Sequence, residues 1–592
     1  MCGIVGYTGY RQAQPILVGA LKRLEYRGYD SAGIALGGEK ISVYKDKGEV
    51  AHIEAGAPRF TGVWGIAHTR WATHGKPTKN NAHPFMDCNG KVALAHNGII
   101  ENYGRLKDDL MRRGHVFTSE TDTETVVHLI EENYKGNLEE AARTVVKMLE
   151  GSYALVMMHV SEPGKVVAVR KESPLILGIG DGENFVASDV PALLDHTDRV
   201  ISMQDGEVAV ITQDGVTLTD VEGKPVDRGF QRITFTLDDA ERGGYEHFML
   251  KEIFEQPRAL HDTLVGKLGE DAPYGIPIDG VRLIACGTSY HASLVGKYVI
   301  ESIAKLPAQV EVASEYRYGA VSREHPFTVL ISQSGETADT LAAAKEATRR
   351  GCYTVGITNI LGSSITREVD ETIYTRAGIE IGVAATKTYL TQLAALYLLA
   401  MRLGTGRTLR PDTARQMREG LRSLPQHVQR VLNNSEEIEK VAKETSKARD
   451  MFFIGRNLNY PVALEGALKM KEISYIHAEG YPAGELKHGP LALLSPEAPV
   501  IAIAVKDHTY EKMLSNIGEV SARGSPVVGI CSEGDRETPK YVDYVLRVPD
   551  VPTIFSPVPV SVVLQLLAYY AARERGCPID KPRNLAKSVT VE

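Results

Sequence analysis

The second half of the chain repeats one pattern of secondary structure, and this repetition constrains the fold more than any other feature of the sequence. Residues 281–287, 328–332 and 353–358 are continuous apolar segments, and loops rich in glycine, serine and threonine separate them from longer helical patterns. Such segments are typical of parallel strands that are buried on both faces. The scheme begins again at Phe453-Ile-Gly455. The sequence therefore predicts an internal duplication of one parallel α/β domain.

The chain up to about residue 235 has a different pattern, in which short β segments alternate with glycine-rich turns. Residues 32–44 predict a hairpin, and residues 65–68 and 91–95 predict buried strands that end in polar residues. This pattern indicates a sheet-rich α+β domain. The charged, glycine-containing segment that follows, residues 237–260, predicts a linker.

The changes in pattern divide the chain into five segments. These are a sheet-rich α+β domain at 2–235, a linker at 236–260, two duplicated parallel α/β domains at 261–435 and 436–582, and a tail at 583–592.

Composition excludes several classes of function. The 592 residues carry a net charge of −8, which argues against a general nucleic-acid surface. No basic region precedes an apolar stretch at the start, and the longest apolar run, Leu393–Met401, is too short to span a bilayer. The six cysteines are scattered without metal-ligand spacing. We therefore expect a cytoplasmic protein with no membrane segment, no metal and no cofactor.

Cys2 is a candidate nucleophile. Removal of Met1 would leave a residue that carries both a thiol and a free α-amine. An α-amine titrates near neutral pH, so it can accept the proton of the attached thiol without help from a histidine.

Three polar groups follow predicted strands and suit a pocket for an amino acid with a side-chain amide. Arg70 could bind a carboxylate through two hydrogen bonds. The side chain of Asn97 and the backbone N–H of Gly98 could stabilise an oxyanion, and Asp122 could hold an ammonium group. Each alone is more often a surface, turn or capping residue, so the argument depends on their combination.

Several motifs in the first 235 residues resemble those of N-terminal-nucleophile glutamine amidotransferases, whose fold is an αββα sandwich. They are Cys2-Gly-Ile-Val-Gly, residues 24–33, His68-Thr-Arg-Trp-Ala-Thr-His-Gly, Asn81-Ala-His-Pro, His96-Asn-Gly-Ile-Ile and Glu120-Thr-Asp-Thr-Glu. The resemblance implies that Cys2 attacks glutamine, that Asn97 and Gly98 form the oxyanion hole, and that Arg70, Trp71, Thr73, His83 and Asp122 line the glutamine pocket.

Two loops of the second half predict a site for a sugar phosphate. Cys286-Gly-Thr-Ser-Tyr and Ser332-Gln-Ser-Gly-Glu-Thr each follow a strand and precede a helix. Backbone N–H groups and hydroxyls at a helix N-terminus bind anions well. Neither loop has the spacing of a nucleotide-binding motif. Farther on, Lys469 and Glu472 share one helix face, and with His488 they suit ring opening and proton transfer next to a carbonyl.

These segments resemble the tandem sugar-isomerase domains of the glutamine–fructose-6-phosphate aminotransferase family, and the resemblance runs from Cys2 to Glu592. It implies synthesis of glucosamine 6-phosphate and glutamate from fructose 6-phosphate and glutamine, the first step of hexosamine synthesis. His488 would open the sugar ring, Lys587 would form a Schiff base, Glu472 would move a proton with help from Lys469, and Trp71 would gate ammonia. The implied sugar-phosphate ligands are Thr288, Ser289, Ser332, Gln333, Ser334, Thr337 and the backbone of Val383. The chain departs from the family at Ala385, where serine is common.

Other functions fit less well. A phosphoribosyl amidotransferase needs an acidic phosphoribosyl-pyrophosphate loop, and an asparagine synthetase needs a pyrophosphate loop for ATP; neither is evident. A sensor of sugar phosphates without chemistry would not need Glu472, His488 and Lys587. The family resemblance also suggests a homodimer through the isomerase domains.

Overall fold

The computed structural model describes residues 2–71, 75–233, 242–269, 272–319 and 327–590. The chain forms two compact units. The first comprises Met1–Glu241 together with Ala586–Glu592, and the second comprises Arg242–Leu585.

Two antiparallel sheets form the centre of the first unit. Their strands are β1 (Gly3–Thr8), β2 (Ser31–Leu36), β3 (Ser42–Lys47), β4 (Trp64–Arg70), β5 (Phe85–Met86), β6 (Val92–Ile100), β7 (Gly151–His159), β8 (Val166–Lys171), β9 (Ile176–Ile179), β10 (Asn184–Ala187), β11 (Arg199–Ser202), β12 (Glu207–Thr212), β13 (Gly215–Asp220) and β14 (Gln231–Arg232). One sheet has the order β14-β11-β9-β10-β1-β4-β2-β3 and the other β13-β12-β8-β7-β6-β5. The predicted hairpin is confirmed as the β2–β3 pair.

Helices cover the outer faces of the two sheets. They are α1 (Ala13–Leu24), α2 (Val50–Gly56), α3 (Tyr103–Arg112), α4 (Thr123–Asn133) and α5 (Leu138–Val146). One apolar cluster joins the facing sides of the sheets and includes Ile66 of β4 and Ala154 and Val156 of β7. A second cluster packs α4 and α5 on the other face of the β6–β7–β8 strands. The implied αββα sandwich is confirmed.

The second unit contains two parallel sheets of five strands each. The strands of the first sheet are β15 (Val281–Ala285), β16 (Ala308–Val312), β17 (Phe327–Ile331), β18 (Tyr353–Thr358) and β19 (Glu371–Tyr374). Those of the second are β20 (Asp450–Gly455), β21 (His477–Pro482), β22 (Val500–Ile503), β23 (Val527–Ser532) and β24 (Tyr544–Val548). The orders, β16-β15-β17-β18-β19 and β21-β20-β22-β23-β24, are the same arrangement repeated. The predicted duplication is confirmed.

Long helices join the two sheets into one core. The helices of this unit are α6 (Phe248–Phe254), α7 (Gln256–Leu264), α8 (Gly287–Ile303), α9 (Ala313–Tyr316), α10 (Ala338–Arg349), α11 (Ile365–Glu368), α12 (Lys387–Gly404), α13 (Pro411–Asn433), α14 (Ser435–Thr445), α15 (Tyr460–Ser474), α16 (Tyr510–Ser521) and α17 (Pro557–Glu574). A single apolar cluster includes residues of α8, α12, α15 and α17 as well as both sheets.

Two of these helices replace part of the predicted linker. α6 begins at Phe248 and α7 at Gln256, and Met249, Ile253 and Leu260 are buried in the core of the second unit. The structure therefore corrects the linker prediction over residues 248–260. The charged residues of this segment suggested an exposed linker. The apolar residues between them, however, recur at helical spacing and are buried.

One helical segment, Thr553–Glu574, is long and apolar enough to cross a membrane by length and composition alone. Within its most apolar window, however, 94% is buried inside the protein, which is equally typical of a core helix.

Candidate active sites

Strand pairing brings Cys2 next to Arg70 and Trp71. Gly3 of β1 pairs with Thr69 of β4 in antiparallel register, so the residue before β1 meets the residues after β4. The backbone N–H of Trp71 donates to Cys2 Sγ at 3.2 Å, and the thiol faces the carbonyl of Trp71 at 3.4 Å. The sulfur of the predicted nucleophile is therefore held at the end of two central strands.

Asn97 is oriented toward Cys2 by His68. Asn97 Nδ2 donates to the carbonyl of Cys2 at 2.9 Å, and its Oδ1 lies 3.1 Å from His68 Nε2. The second neighbour of His68 Nε2 is the carbonyl of His96, also at 3.1 Å. Both neighbours are acceptors, so we assign the proton to Nε2 of His68. This bond fixes which end of the Asn97 amide points at the nucleophile.

The strand that carries Asn97 is longer than predicted. β6 continues to Ile100 instead of ending at Ala95, because it pairs with β7 along its whole length. Gly98 thus lies within the strand, with φ of 121°, and a Cβ there would lie 2.0 Å from the carbonyl oxygen of Ser152. A side chain at this position would displace the backbone that presents the predicted oxyanion donor.

Two buried histidines stack beneath this pocket. The rings of His68 and His83 are 4.1 Å apart and nearly parallel, with both residues almost fully buried. Burial lowers the pKa of His68 to about 3, and it holds the pKa of His83 well below its usual value, with the nearby charges of His68 and Arg70 adding to the effect. Both imidazoles are therefore neutral at physiological pH.

Acid should destabilise the first unit through His68. Its folded-state pKa lies below the unfolded one, so this stability is present above about pH 6.5 and is lost as the pH falls toward about 3, by about 2 kcal/mol at about pH 5. Both tryptophans, Trp64 and Trp71, belong to the first unit, so urea unfolding followed by tryptophan fluorescence reports on it.

The matched variants are His68→Gln and His52→Gln, since His52 is exposed. We expect His68→Gln to reduce the loss of unfolding free energy between about pH 7.5 and about pH 5 by about 2 kcal/mol, and His52→Gln to leave it unchanged. An equal pH dependence in all three proteins would contradict this assignment.

Arg70 and Asp122 are buried at the rim of the same pocket. Arg70, the last residue of β4 rather than the first beyond it, donates to the carbonyls of Gly75 at 3.1 Å and Lys76 at 3.4 Å. Burial lowers the pKa of Arg70, while the charges of Cys2, Asp30 and Asp122 act in the opposite direction. Asp122 accepts from the backbone N–H of Ile100 at 2.9 Å. The electrostatic interaction of these groups with one another supports a common site.

One contact of this site escaped the sequence analysis. Arg27 donates through Nε to the carbonyl of Cys2 at 3.3 Å and pairs with Asp189 at 2.7 Å. Arg27 lies in residues 24–33, one of the motifs that carry the resemblance, but nothing in that motif predicted a separate role for it. The predicted pocket residue Thr73, and Met1, lie outside the described residues.

In the second unit, α8 and α15 bring Thr288 together with a buried charged group. Lys469 Nζ donates to Thr288 Oγ1 at 3.1 Å, and Thr288 Oγ1 donates to Glu465 Oε1 at 3.1 Å. Lys469 Nζ also lies 2.5 Å from Glu472 Oε2 and 3.5 Å from Glu465 Oε1. Thr288, a predicted sugar-phosphate ligand, therefore lies beside Lys469, a predicted proton-transfer residue. Thr288 belongs to the first half of the duplication and Lys469 to the second.

Two carboxylates keep Lys469 charged. Its side chain is 1% exposed, and burial lowers its pKa, but the charges of Glu472 and Glu465 outweigh burial and raise the pKa above its ordinary value. Glu465, which the sequence analysis missed, also pairs with His291 at 2.8 Å. The sequence did contain a signal for this pair, because Glu465 and Lys469 are four residues apart, a spacing that puts both on the same face of a helix.

The loop after β17 has the geometry of an anion-binding turn. Ser332 Oγ lies 2.9 Å from Thr337 Oγ1 and accepts from the backbone N–H of Gly335 at 3.0 Å. Ser334 Oγ accepts from the N–H of Glu336 at 3.1 Å. α10 begins directly after Thr337. The loop is therefore folded over a helix N-terminus, where a phosphate is favoured.

The other predicted sugar ligands have hydrogen-bond partners within the protein. The carbonyl of Gln333 accepts from the N–H of Asn359 at 3.0 Å, and Ser289 Oγ accepts from Gln392 at 3.0 Å. The backbone N–H of Val383 donates to the carbonyl of Asp580 at 3.1 Å, so its carbonyl is the group left for a ligand contact. Ala385 is half-buried close by and has no hydroxyl to offer.

The remaining two predicted catalytic residues are His488 and Lys587. His488 ends a short 3₁₀ helix, Ala483–His488, and is exposed; among the described residues its ring has no hydrogen bond or ion pair. Lys587 is half-buried and belongs to the tail segment grouped with the first unit. The roles predicted for these two residues stay predictions.

Comparison with known proteins connects both units to characterised families. A glutamine amidotransferase domain model matches residues 68–195, and an SIS domain model matches residues 279–402 and 444–575. Proteins named glutamine–fructose-6-phosphate aminotransferase (isomerizing) from Methanosarcina acetivorans and Thermus thermophilus are each 50% identical to this chain, over 618 and 605 residues, with 100% of both chains covered. The solved C-terminal domain of glucosamine-fructose-6-phosphate aminotransferase from Francisella tularensis is 38% identical, covers 58% of this chain and 100% of its own, and has a TM-score of 0.55.

The fold and the sites define an enzyme in which a glutamine amidotransferase domain is joined to a duplicated SIS domain. Full-length relatives at 50% identity identify it further. The chain belongs to the family of glutamine–fructose-6-phosphate aminotransferases (isomerizing), as the motifs of the sequence predicted.

Proposed function

We propose that this enzyme converts fructose 6-phosphate and glutamine into glucosamine 6-phosphate and glutamate. The observation that carries the proposal is the match over the whole chain to relatives that bear the name of this activity. The pocket around Cys2 and the Thr288–Lys469–Glu472 cluster support it independently, because each has the chemistry of one half of the reaction.

In the first half-reaction, the sulfur of Cys2 would attack the carboxamide carbon of glutamine. The carbonyl electrons move to oxygen, and that oxyanion would accept hydrogen bonds from Asn97 Nδ2 and the N–H of Gly98. Collapse of the tetrahedral intermediate expels ammonia, with a proton from the α-amine of a processed Cys2, and leaves a thioester. Water then cleaves the thioester and releases glutamate. His68 acts here as a positioning residue, since it holds the Asn97 amide in the required orientation.

Arg70 and Asp122 would select the amino-acid end of glutamine. A guanidinium binds a carboxylate through paired hydrogen bonds, and a carboxylate binds an ammonium group. Both side chains are almost fully buried, so water screens them weakly and each would contribute strongly to binding a charged substrate. His83 and Trp71 would complete the walls of the pocket.

In the second half-reaction, the phosphate would bind at the loop Ser332–Thr337 and beside Ser289. His488 would protonate the ring oxygen as the sugar opens, and the amine of Lys587 would condense with the C2 ketone and release water. Ammonia would then displace the lysine to leave a C2 imine. Glu472 would remove a proton from C1 and a proton would return to C2, which converts the ketose imine into the 2-amino aldose.

The charge of the Lys469 cluster fits this last step. Glu472, the predicted general base, lies 2.5 Å from the ammonium of Lys469. Lys469 itself remains protonated because Glu465 also pairs with it. Lys469 would therefore assist Glu472 rather than form the imine.

The direct test is product formation by the purified full-length enzyme. We expect glucosamine 6-phosphate and glutamate in equal amounts when both substrates are present, and no glucosamine 6-phosphate when either is omitted. Mass spectrometry of the sugar phosphates measures the first product and an enzymatic glutamate assay the second. Glutamate release without any amino sugar would overturn the proposal. A homodimer and a cytoplasmic location stay predictions.

A further inference from the structure

Four potential metal ligands from three segments of the first unit converge on one point. Cys88 lies in the loop between β5 and β6, His115 follows α3, and His128 and Glu131 occupy successive turns of α4. One ligand atom from each lies within 4.8 Å of the others. The sequence analysis expected no metal because these residues come from three separate segments without a recognised spacing.

Four of the six distances between these atoms are close to those of a tetrahedron around a zinc ion. Cys88 Sγ lies 3.6 Å from Nδ1 of His115 and 3.6 Å from Nδ1 of His128. Glu131 Oε2 lies 3.2 Å and 3.1 Å from the same two nitrogens. Tetrahedral zinc with ordinary bond lengths separates sulfur from nitrogen by about 3.6 Å and nitrogen from oxygen by about 3.4 Å.

The outer contact of His115 also fits a metal ligand. His115 Nε2 faces Glu132 Oε1 at 3.0 Å, and its Nδ1 faces Glu131 Oε2 at 3.2 Å. With a metal on Nδ1, a neutral imidazole donates through Nε2 to Glu132, which is the usual arrangement behind a metal-bound histidine.

His128 gives a second, independent indication. The residue is 1% exposed, and Glu124 Oε1, 4.0 Å from its Nε2, is the carboxylate that an N–H on that nitrogen would face. Its Nδ1 is directed into the cluster toward Cys88 and Glu131. A buried imidazole that turns one nitrogen to a thiol and a carboxylate is the environment of a metal ligand.

We propose that Cys88, His115, His128 and Glu131 bind one zinc ion in a structural site. All four positions of the tetrahedron are filled by protein atoms, which leaves no open position for catalysis. The thiol of Cys88 loses its proton to solvent on binding, and its exposure provides the path of entry.

The site would stabilise the glutamine pocket from a distance. The metal ties the β5–β6 loop to α4, and the same elements carry two predicted pocket residues, with Asn97 on β6 and Asp122 at the start of α4. Zinc would therefore raise the thermal stability of the first unit without a contact to substrate.

Cobalt substitution tests the site in the full-length enzyme freed of metal by a chelator. We expect about one Co²⁺ per chain, with the intense visible bands of a tetrahedral site and a thiolate charge-transfer band. Cys88→Ser should lose the charge-transfer band, and His128→Ala should weaken zinc affinity at least ~100-fold. Cys577→Ser and Cys2→Ala serve as controls for the other thiols and should keep the full spectrum.

Glu132→Gln tests the outer hydrogen bond, with the exposed Glu101→Gln as its matched control. Zinc affinity, measured by competition with a chromophoric chelator, should fall about 10–100-fold in Glu132→Gln alone. Zinc should also raise the unfolding temperature of the wild type but not of Cys88→Ser. A spectrum that is identical in Cys88→Ser, or bound metal below about 0.1 per chain at saturating Co²⁺, would overturn the proposal.

Discussion

Cys2→Ala should reduce glutamine hydrolysis by at least about 10⁴-fold and leave the isomerisation of fructose 6-phosphate measurable. The sulfur is the atom that would form the thioester, and no other group of the pocket can replace it. Isomerisation is proposed to depend on Glu472 and its neighbours, which belong to the other unit. Release of glutamate measures the first activity, and formation of glucose 6-phosphate measures the second.

Two controls separate loss of chemistry from loss of folding. Cys577→Ala changes a half-buried thiol of the second unit and should keep both activities. Protein that retains Met1 should behave like Cys2→Ala, because its α-amine is bound in a peptide bond. Normal glutamine hydrolysis by protein whose measured mass includes Met1 would show that the N-terminal amine has no role.

Lys587→Arg should lose nearly all synthesis of glucosamine 6-phosphate while glutamine hydrolysis persists. An imine forms only from an unprotonated amine, and a solvated lysine is almost entirely protonated at neutral pH, so the sugar site must desolvate it or surround it with other cations. Arginine keeps the charge but cannot form the imine. Borohydride with fructose 6-phosphate should attach the sugar to the C-terminal peptide of the wild type, and the variant should give no adduct.

Lys581→Arg, which lies just before the tail, is the matched control and should retain both the adduct and the activity. An adduct that maps to Lys469 would contradict the role of Lys587, as would full activity of Lys587→Arg. The first of these outcomes is the less expected, because Lys469 is held as an ammonium by two carboxylates.

Repeated local patterns explain why much of the fold was predictable from the sequence. The parallel strands at Val281–Ala285 and Asp450–Gly455 are apolar along their whole length, and each is followed by a loop and a helix, so the duplication can be read without tertiary information. The hairpin of β2 and β3 is similarly local. The residues that surround Cys2 were found because they lie in long contiguous motifs.

The features that were missed depend on pairing between distant segments. Nothing near Asn97 indicates that β6 continues to Ile100, since that follows from its register with β7. Charged positions in residues 248–260 hid the periodicity of two core helices. The proposed zinc ligands are also distant in the sequence and meet only when the β5–β6 loop packs against α4.

Isotope tracing tests the central claim most directly, namely that nitrogen released at Cys2 is delivered to the sugar. The full-length enzyme is given fructose 6-phosphate, glutamine labelled with ¹⁵N in the amide, and an excess of unlabelled ammonium. We expect glucosamine 6-phosphate that carries ¹⁵N, in an amount equal to the glutamate formed. Amino sugar that carries mainly the unlabelled nitrogen, or labelled ammonium in solution with no amino sugar, would contradict the account.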